Sequence, residues 1–570
     1  MTLWLTLFEV IWGQKMSDLK HGGQAIVNSL KQHGVNRAFI VPGESYLAVL
    51  DGLYNSDIQT VVCRHEAACT YMADAHGKFT GKPGVAMVTR GPGAAQAYTG
   101  IHTAWQDGVP LILFVGLIPV ADRQRESFQE FDPIQWFGSQ CKRVFILDEV
   151  SRASEVVAKA FHAALEGRPG PVVVGLPEDI IRQPFEGQNY PVIPVAQGAV
   201  TQLELQSLID SLSAAKKPLI FVGGQNWDVQ TCQKLTKFAE DNAIPVIHDW
   251  RASDRVAFES PAHAGYLGYG RSEDCAALIE DADIVLTIGT VLGDVASDGY
   301  TLRQSFDKPN YIVNLDTSLR GHSGSVTEHI VASPISFIKA ISQASLASSA
   351  SRKAWFNYCH EQQRKDCAFP EMLLTTDNAE QTNTDQTYAS MTQVIKALTE
   401  QLPDNAVYSF GAGNHCLWAQ KFLPTNIFPS QLSSRNGAMG YSVPAGIAAA
   451  LESPERLSVV VTGDGEFMMN EAELSTSVRY KAPILIIVMD NGQFGTIRQH
   501  QEAHYPDRVS GTQLQNPDFA LMAQSFGAHG ITVNNNERVE EQVAEAMRVV
   551  SKDRKTVVMH VITDPAELNP

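Results

Sequence analysis

The stretch VVVTGDGEFMMNEAELSTSVRYKAPILIIVMDNGQFGTIRQ, residues 459–499, reads as strand, turn, helix, strand, turn. Its runs VVVT and ILIIVM are too continuously apolar for a half-exposed strand and belong in a sheet covered on both faces. Each run stops at small polar residues, Gly463-Asp464-Gly465 and Asp490-Asn491-Gly492. With a helix between them the strands run parallel, so both turns reach the same sheet edge, where open α/β folds bind ligands. Asp464 and Asn491 can then share one cation. Carboxylate, amide and carbonyl oxygens suit Mg²⁺, which keeps waters and bridges to phosphates. Gly463 and Gly465 let the backbone approach a diphosphate, and the helix after Glu466 offers N-terminal N–H groups. Taken alone, Gly-Asp-Gly is equally an ordinary turn.

Outward from this stretch the same alternation repeats. RAFIVPG, GVAMVTRGPG, PLILFVG and PVVVGLP form a first unit, and PLIFVGG, IPVIHD, ADIVLTIGT and NYIVNLD a second; AVYSFGAG and TVVMHVITD flank the opening stretch in a third. Short apolar strands alternating with amphipathic helices give parallel sheets. The fold class expected is therefore α/β, as three doubly wound parallel-sheet domains. Residues 183–198, with several prolines and no helical period, read as a linker. Residues 342–387, rich in Ser, Thr, Gln and Asn, read as a second connection, helical around Trp355 to Lys365. The domains expected are 16–185, 199–341 and 388–570.

A chain of 570 residues suits three or four domains. The 62 acidic and 44 basic side chains leave a formal charge of −18. No basic run offers the clustered cations that nucleic acid requires, so small molecules are the expected partners. No apolar run approaches the ~20 residues of a membrane span. Cys63, Cys69, Cys141, Cys232, Cys275, Cys359, Cys367 and Cys416 form no CxxC pair and no zinc-like spacing. They read as free thiols in a reducing cytoplasm. The opening MTLWLTLFEVIWG carries Glu9, no basic leader and no small-residue cleavage site, so it does not read as a signal peptide, and the natural start is Met1 or Met16.

The run GDG, NEAEL, NGQFGTIRQ resembles the thiamine-diphosphate binding motif of thiamine-dependent enzymes. Over nearly the whole chain, VPGESYLAVLD, RHEAACTYMADAHGKFTGKPGVAMVTRGPGAAQA, SFQE, GRPGPVVVGLP, NHCLWAQ, NGAMGYSVPAGIAAA and NPDF resemble successive blocks of the acetolactate synthase family, the acetohydroxyacid synthase large subunits. The resemblance implies an N-terminal pyrimidine-binding domain, a central domain and a C-terminal diphosphate-binding domain. It implies thiamine diphosphate and Mg²⁺ as cofactors, 2-oxo acids as substrates, and a homodimer or homotetramer with active sites between subunits.

Roles for individual residues follow from the same resemblance. Glu66 of RHEAA falls on the activating glutamate, whose carboxyl hydrogen-bonds the cofactor's aminopyrimidine ring; without the resemblance it would be a helix-surface carboxylate. Met439 matches the apolar residue that props the cofactor in its bent form, and is otherwise a core methionine. Pro92 and Gln96 match a loop near the pyrimidine, with Gln96 where the family usually has Asn. Gly413, Asn414 and His415 match the loop on the diphosphate, beside Gly463, Asp464, Gly465, Glu466 and Asn491. The metal set is Asp464, Asn491 and the backbone carbonyl of Gln493, with Asp490 in place of a common Asn. Phe128, Gln129 and Lys142 match positions near the reacting centre; read alone they are a core aromatic, a loop amide and a solvated lysine.

Three departures bear on the activity. Glu44 stands where the family has the second glycine of PGG, His500 where it has its acceptor-selecting tryptophan, and His76 where it has a tyrosine. All three ionise and can handle protons on a hydroxylated or cyclic substrate; equally, Glu44 and His500 read as exposed rim residues. In the central unit Gly223, Gly224, Gly289 and Asp316 sit where the synthases hold FAD, but VLGDVASDGY replaces their RFDDR-like stretch. FAD and plain glycine turns both stay open there. The activity expected is decarboxylation of pyruvate or a related oxo acid, followed by carboligation to an acyloin such as acetolactate. The alternative is simple decarboxylation, or hydrolytic diketone cleavage as in cyclohexane-1,2-dione hydrolase.

Overall fold

Runs of Val, Ile and Leu such as Leu111–Leu117 and Ile484–Asp490 need apolar cover on both faces, and in the computed structural model they lie inside three all-parallel sheets. The structure describes residues 20–369 and 387–570. Met16, the opening apolar stretch and residues 370–386 of the second connection lie outside the described residues.

The first sheet holds β1 (Arg37–Ile40), β2 (Gln59–Val62), β3 (Gly84–Val88), β4 (Leu111–Leu117), β5 (Arg143–Ile146) and β6 (Pro171–Pro177) in the order β2-β1-β3-β4-β6-β5. The second holds β7 (Pro218–Val222), β8 (Val246–Asp249), β9 (His263–Leu267), β10 (Ile284–Ile288), β11 (Asn310–Val313) and β12 (Glu328–Ile330), ordered β12-β11-β10-β7-β8-β9. The third holds β13 (Val407–Phe410), β14 (Ser458–Gly463), β15 (Ile484–Asp490), β16 (His529–Val533) and β17 (Val557–Ile562), ordered β13-β14-β15-β17-β16. The fold class expected from the sequence holds. Residues 183–198 run without helix or strand and are mostly exposed, as a linker should. The helix expected around Trp355 spans Ala350–Asp366 and lies on β9, with Trp355 Nε1 donating to the carbonyl of Pro218 at 2.9 Å. It is therefore cover for the central sheet and more than a connection.

Three helices make the seam between the first and third units: α1 (Glu66–Thr80), α2 (Pro92–Asp107) and α3 (Ser442–Glu452). α1 starts because His65 is extended and its Nδ1 accepts the N–H of Ala67; it stops at Gly81, whose φ of 69° favours glycine. One apolar cluster runs through all three helices, including Met72, Ala97, Ile101 and Ile447. α1 and α2 cross so closely at Gly100 that a Cβ there would stand 2.1 Å from Thr70 Oγ1.

Charge is buried in this seam. Lys78 Nζ lies 2.8 Å from Asp74 and 2.5 Å from Asp107, and donates to the Tyr441 hydroxyl at 3.0 Å and the Ser433 carbonyl at 3.2 Å. Burial and the charge of Asp107 push the Asp74 carboxyl up to about 6, whereas the two carboxylates overcome burial and hold Lys78 above the usual lysine range. Asp107 also accepts the backbone N–H of Arg435 at 2.9 Å. Lys78→Met leaves two carboxylates facing each other without a cation, and is expected to cost about 3–5 kcal/mol in urea unfolding.

Candidate active site

The carboxyl ends of β13, β14, β15 and β17 open into a cleft of about 280 Å³. Ten residues proposed from the sequence line it: Gly413, Asn414, His415, Met439, Gly463, Asp464, Gly465, Glu466, Asn491 and Gln493. His415 is buried on the floor, and among the described residues its Nε2 has no hydrogen-bond partner. The floor needs glycine: a Cβ on Gly413, whose φ is 149°, would lie 2.9 Å from the His415 ring, and one on Gly463 would lie 2.9 Å from its Nδ1. Glu466 acts as a strut, since one carboxylate oxygen accepts the N–H of Ala412 at 2.7 Å and the other the Ser442 hydroxyl at 2.9 Å. The Asn414 amide donates to Gln499 at 3.1 Å and to Asn569 at 3.0 Å, and accepts from Thr496. Glu567, its carboxyl pushed up by burial, lines the same cleft. Thr496 sits inside the NGQFGTIRQ run without a role assigned to it, and no motif pointed to Glu567 or Asn569.

The metal-ligating candidates lie beside a second carboxylate. Asn516 donates to Asp464 at 2.7 Å and to Asp490 at 2.8 Å. Burial and the neighbouring Asp490 push the Asp464 carboxyl up to about 7. Asp490 is half-buried, but hydrogen bonds from His560 Nε2 at 2.8 Å, from Asn516 and from the N–H of Gly492 hold it below the usual range. His560 comes from β17, in register with Val488 of β15. So the acid at position 490 is met by a neighbour that the sequence reading assigned no role. Asp464, Asn491 and the carbonyl of Gln493 are all hard oxygen donors, the set Mg²⁺ takes beside a phosphate.

A second constellation forms where β1, β2 and β3 end in the first sheet. Glu66 is the first residue of α1 and is buried, with Oε1 3.2 Å from where a Cβ of Gly93 would stand. Gln129, at φ 62°, lies over Gly91. Pro92 and Gln96 are exposed on α2, and Phe128 is 73% exposed. Glu44 follows β1 and points outward, 3.5 Å from Arg90, which also pairs with Glu178 at 2.9 Å. None of these residues lines the third-unit cleft of the same chain.

His76 and Lys142 lie elsewhere. His76 Nδ1 is 2.8 Å from Glu452 of α3, whose carboxylate also pairs with Arg37, so it serves the seam. Lys142 stands at the amino ends of β5 and β6, the opposite sheet edge from Glu66; its amine, pushed down to about 8 by burial, donates to the carbonyl of Glu166. His500 is exposed on α4 (Gly495–His504), the helix whose first turn lines the cleft.

The central unit holds a cleft of about 370 Å³ at the carboxyl ends of β7 and β10, where strand order reverses. Gly224, Gly289 and Asp316 line it, as does Tyr300 of the stretch that replaces RFDDR. Gly224 has φ 66°, and a Cβ on it would collide with the Gly289 carbonyl at 1.8 Å. Each unit sends one arginine into this cleft: Arg168, Arg320 and Arg435. Burial and Arg320 push Arg168 down to about 10. Arg435 pairs with Asp249 at 2.8 Å, and Arg320 lies over the Trp105 ring. The sequence reading missed all three arginines, because they lie in loops of different units.

Sequence comparison gives the class. Three family descriptions cover the chain: "Thiamine pyrophosphate enzyme, N-terminal TPP binding domain" over residues 20–136, the "central domain" over 205–341 and the "C-terminal TPP binding domain" over 411–561. The chain belongs to the thiamine pyrophosphate enzymes, and its likeness within them is to acetolactate synthases. It is 28% identical over 554 residues to the acetolactate synthase isozyme 2 large subunit of Escherichia coli K12, covering 96% of each chain. It is 29% identical over 551 residues to the acetolactate synthase large subunit of Haemophilus influenzae, covering 93% of each. To the mitochondrial catalytic subunit of Saccharomyces cerevisiae it is 27% identical over 581 residues, covering 96% of this chain and 83% of the yeast one.

Gly463 has an ordinary φ of −90°, so a substitution there tests the cradle without straining the backbone. Gly463→Ala is expected to push the His415 ring into the cleft and weaken thiamine diphosphate binding roughly tenfold, about 1.4 kcal/mol, in a calorimetric titration.

Proposed function

We propose that the protein is a thiamine-diphosphate- and Mg²⁺-dependent enzyme that decarboxylates pyruvate or a related 2-oxo acid and joins the retained carbons to a second carbonyl, as an acetolactate synthase does. The observation that carries this reading is the meeting, at one sheet edge, of a hard-oxygen donor set with a glycine-lined floor. Bound there, thiamine diphosphate supplies an acidic carbon as nucleophile and an electron sink for decarboxylation. In this reading Asp464, Asn491 and the Gln493 carbonyl hold Mg²⁺ against the diphosphate. Gly413, Asn414, His415, Gly463 and Gly465 line its bed, Glu466 braces that bed, and Met439 props the bent cofactor. Glu66 holds a proton against the pyrimidine ring, near Pro92 and Gln96. Phe128, Gln129, Glu44 and His500 border the substrate space, while His76 and Lys142 are left out.

One chain carries the two half-sites on separate sheet edges, so this reading needs a second copy, in a homodimer or homotetramer. Phe128, Met468, Met469 and Ile497 supply exposed apolar surface for it. Residues 16–185 would then be the pyrimidine-binding domain, 199–341 the central domain and 388–570 the diphosphate-binding domain. All eight cysteines are free, which suits a reducing cytoplasm. Among the described residues no helix is long and apolar enough to cross a membrane. The central cleft, with three guanidinium groups and paired glycine turns, suits a diphosphate-bearing dinucleotide, and we assign it to FAD.

Purified protein with thiamine diphosphate, Mg²⁺ and pyruvate is expected to yield acetolactate by mass spectrometry. Glu66→Gln should lower turnover about 10²- to 10⁴-fold. Acetaldehyde as the only product would favour the decarboxylase, and turnover unchanged in Glu66→Gln would sink the catalytic reading. The flavin assignment predicts the flavin's visible absorption band in the purified protein, lost in Arg168→Ala; a colourless protein that gains no band with added FAD refutes it.

A further inference from the structure

The helix that carries Glu66 is held from outside its own unit. Glu473, in the NEAEL run of the third unit, is fully buried, and its carboxylate is used on the backbone just ahead of α1. Oε1 accepts the N–H of Arg64 at 2.8 Å and that of His65 at 3.1 Å, and Oε2 accepts the Thr476 hydroxyl at 2.5 Å. Two further contacts bind the same region. Arg64 Nε donates to Ser475 at 2.8 Å. The Tyr480 hydroxyl donates to the carbonyl of Thr60 at 3.0 Å and accepts the N–H of Val62 at 2.8 Å along edge strand β2.

A carboxylate in a core is costly unless donors meet its oxygens, and leucine would fill the position more cheaply. The donors it meets here are backbone groups of the turn that delivers Glu66. The path from the cleft to Glu473 is a succession of hydrogen-bonded turns: the N–H groups of Met468, Met469, Asn470 and Glu473 close onto the carbonyls of Asp464, Glu466, Phe467 and Asn470. Glu473 itself does not line the cleft.

We propose that Glu473 is a positioning residue, whose grip on the Arg64-His65 backbone fixes where the Glu66 carboxyl stands and ties that placement to the Asp464 end of the cleft in the same chain. Its consequence for the cofactor rests on the role proposed above for Glu66; the grip itself does not.

Glu473→Ala, Glu473→Asp and Glu473→Gln are compared with Glu66→Gln in two measurements on the full chain. The first is amide hydrogen exchange of residues 60–67 in cofactor-free protein. It should quicken about tenfold or more in Glu473→Ala and less in Glu473→Asp, whose carboxylate falls back by one methylene, and stay near wild type in Glu473→Gln, whose amide oxygen still accepts. Exchange in β15 should not change. The second is exchange of the bound cofactor's acidic ring C–H with D₂O, read by NMR after acid quench. It should slow in the same order, with the cofactor's dissociation constant unchanged. If Glu473→Ala does not fold, Glu473→Asp decides. Unchanged exchange over residues 60–67 in folded Glu473→Ala or, failing that, in Glu473→Asp overturns the grip. Quickened amide exchange with unchanged C–H exchange overturns the positioning role, provided Glu66→Gln slows the latter. If Glu66→Gln leaves C–H exchange untouched, the reading of Glu66 has failed, and the grip is judged on amide exchange alone.

Discussion

Lys78 brings one ammonium into the seam between the first and third units, and every group it touches belongs to that seam. Apolar faces can slide past one another at little cost, because the hydrophobic effect has no direction. A buried charge cannot, since leaving it unmatched costs more than the surrounding packing returns. The approach of α1, α2 and α3 is thus confined to the register in which Lys78, Asp74, Asp107 and Tyr441 meet. Helix geometry carries that register to the sheet edges. Glu66 begins the same helix twelve residues earlier, about 18 Å along its axis. Pro92 opens the helix that Asp107 closes, and Met439 stands just before the helix that follows Tyr441. A constraint at the seam therefore becomes a coordinate at each half-site.

How much of this the sequence disclosed depends on the kind of signal. The central strands were legible because each is a run of Val, Ile and Leu, and burial on both faces leaves no room for polar interruption. The five strands it did not disclose, β2, β5, β9, β12 and β16, are all edge strands. Four of them are only partly buried, and QTVV, RVFI, EHI and HGITV mix polar residues into runs too short to announce a strand. β9, HAGYL, is covered by the helix Ala350–Asp366, which itself looked like part of a connection. Covering an edge is a tertiary fact, and no local pattern records it.

The same division runs through the candidate site. Residues at the carboxyl ends of strands in one unit were found together, because a motif and a parallel sheet fix them jointly. Partners drawn from another strand or unit were not. Asp490 was visible as a departure from the family pattern, while its compensation by His560 on β17 was not. His76 looked like a pocket histidine, and only the fold brings Glu452 to its Nδ1. Motif residues disclose the chemistry; the groups that hold their charges in balance are long-range and chemically ordinary.

The central cleft takes one arginine from each unit, and Arg435 is also fastened through its backbone to Asp107 of the first. Such a cleft has no partial form. A gene in which recombination replaced the central unit with a foreign one would keep three folded sheets yet lose Arg320, both glycine turns and Asp249, the complement of Arg435. The three units look like interchangeable modules along the chain, but they are heritable only as a set.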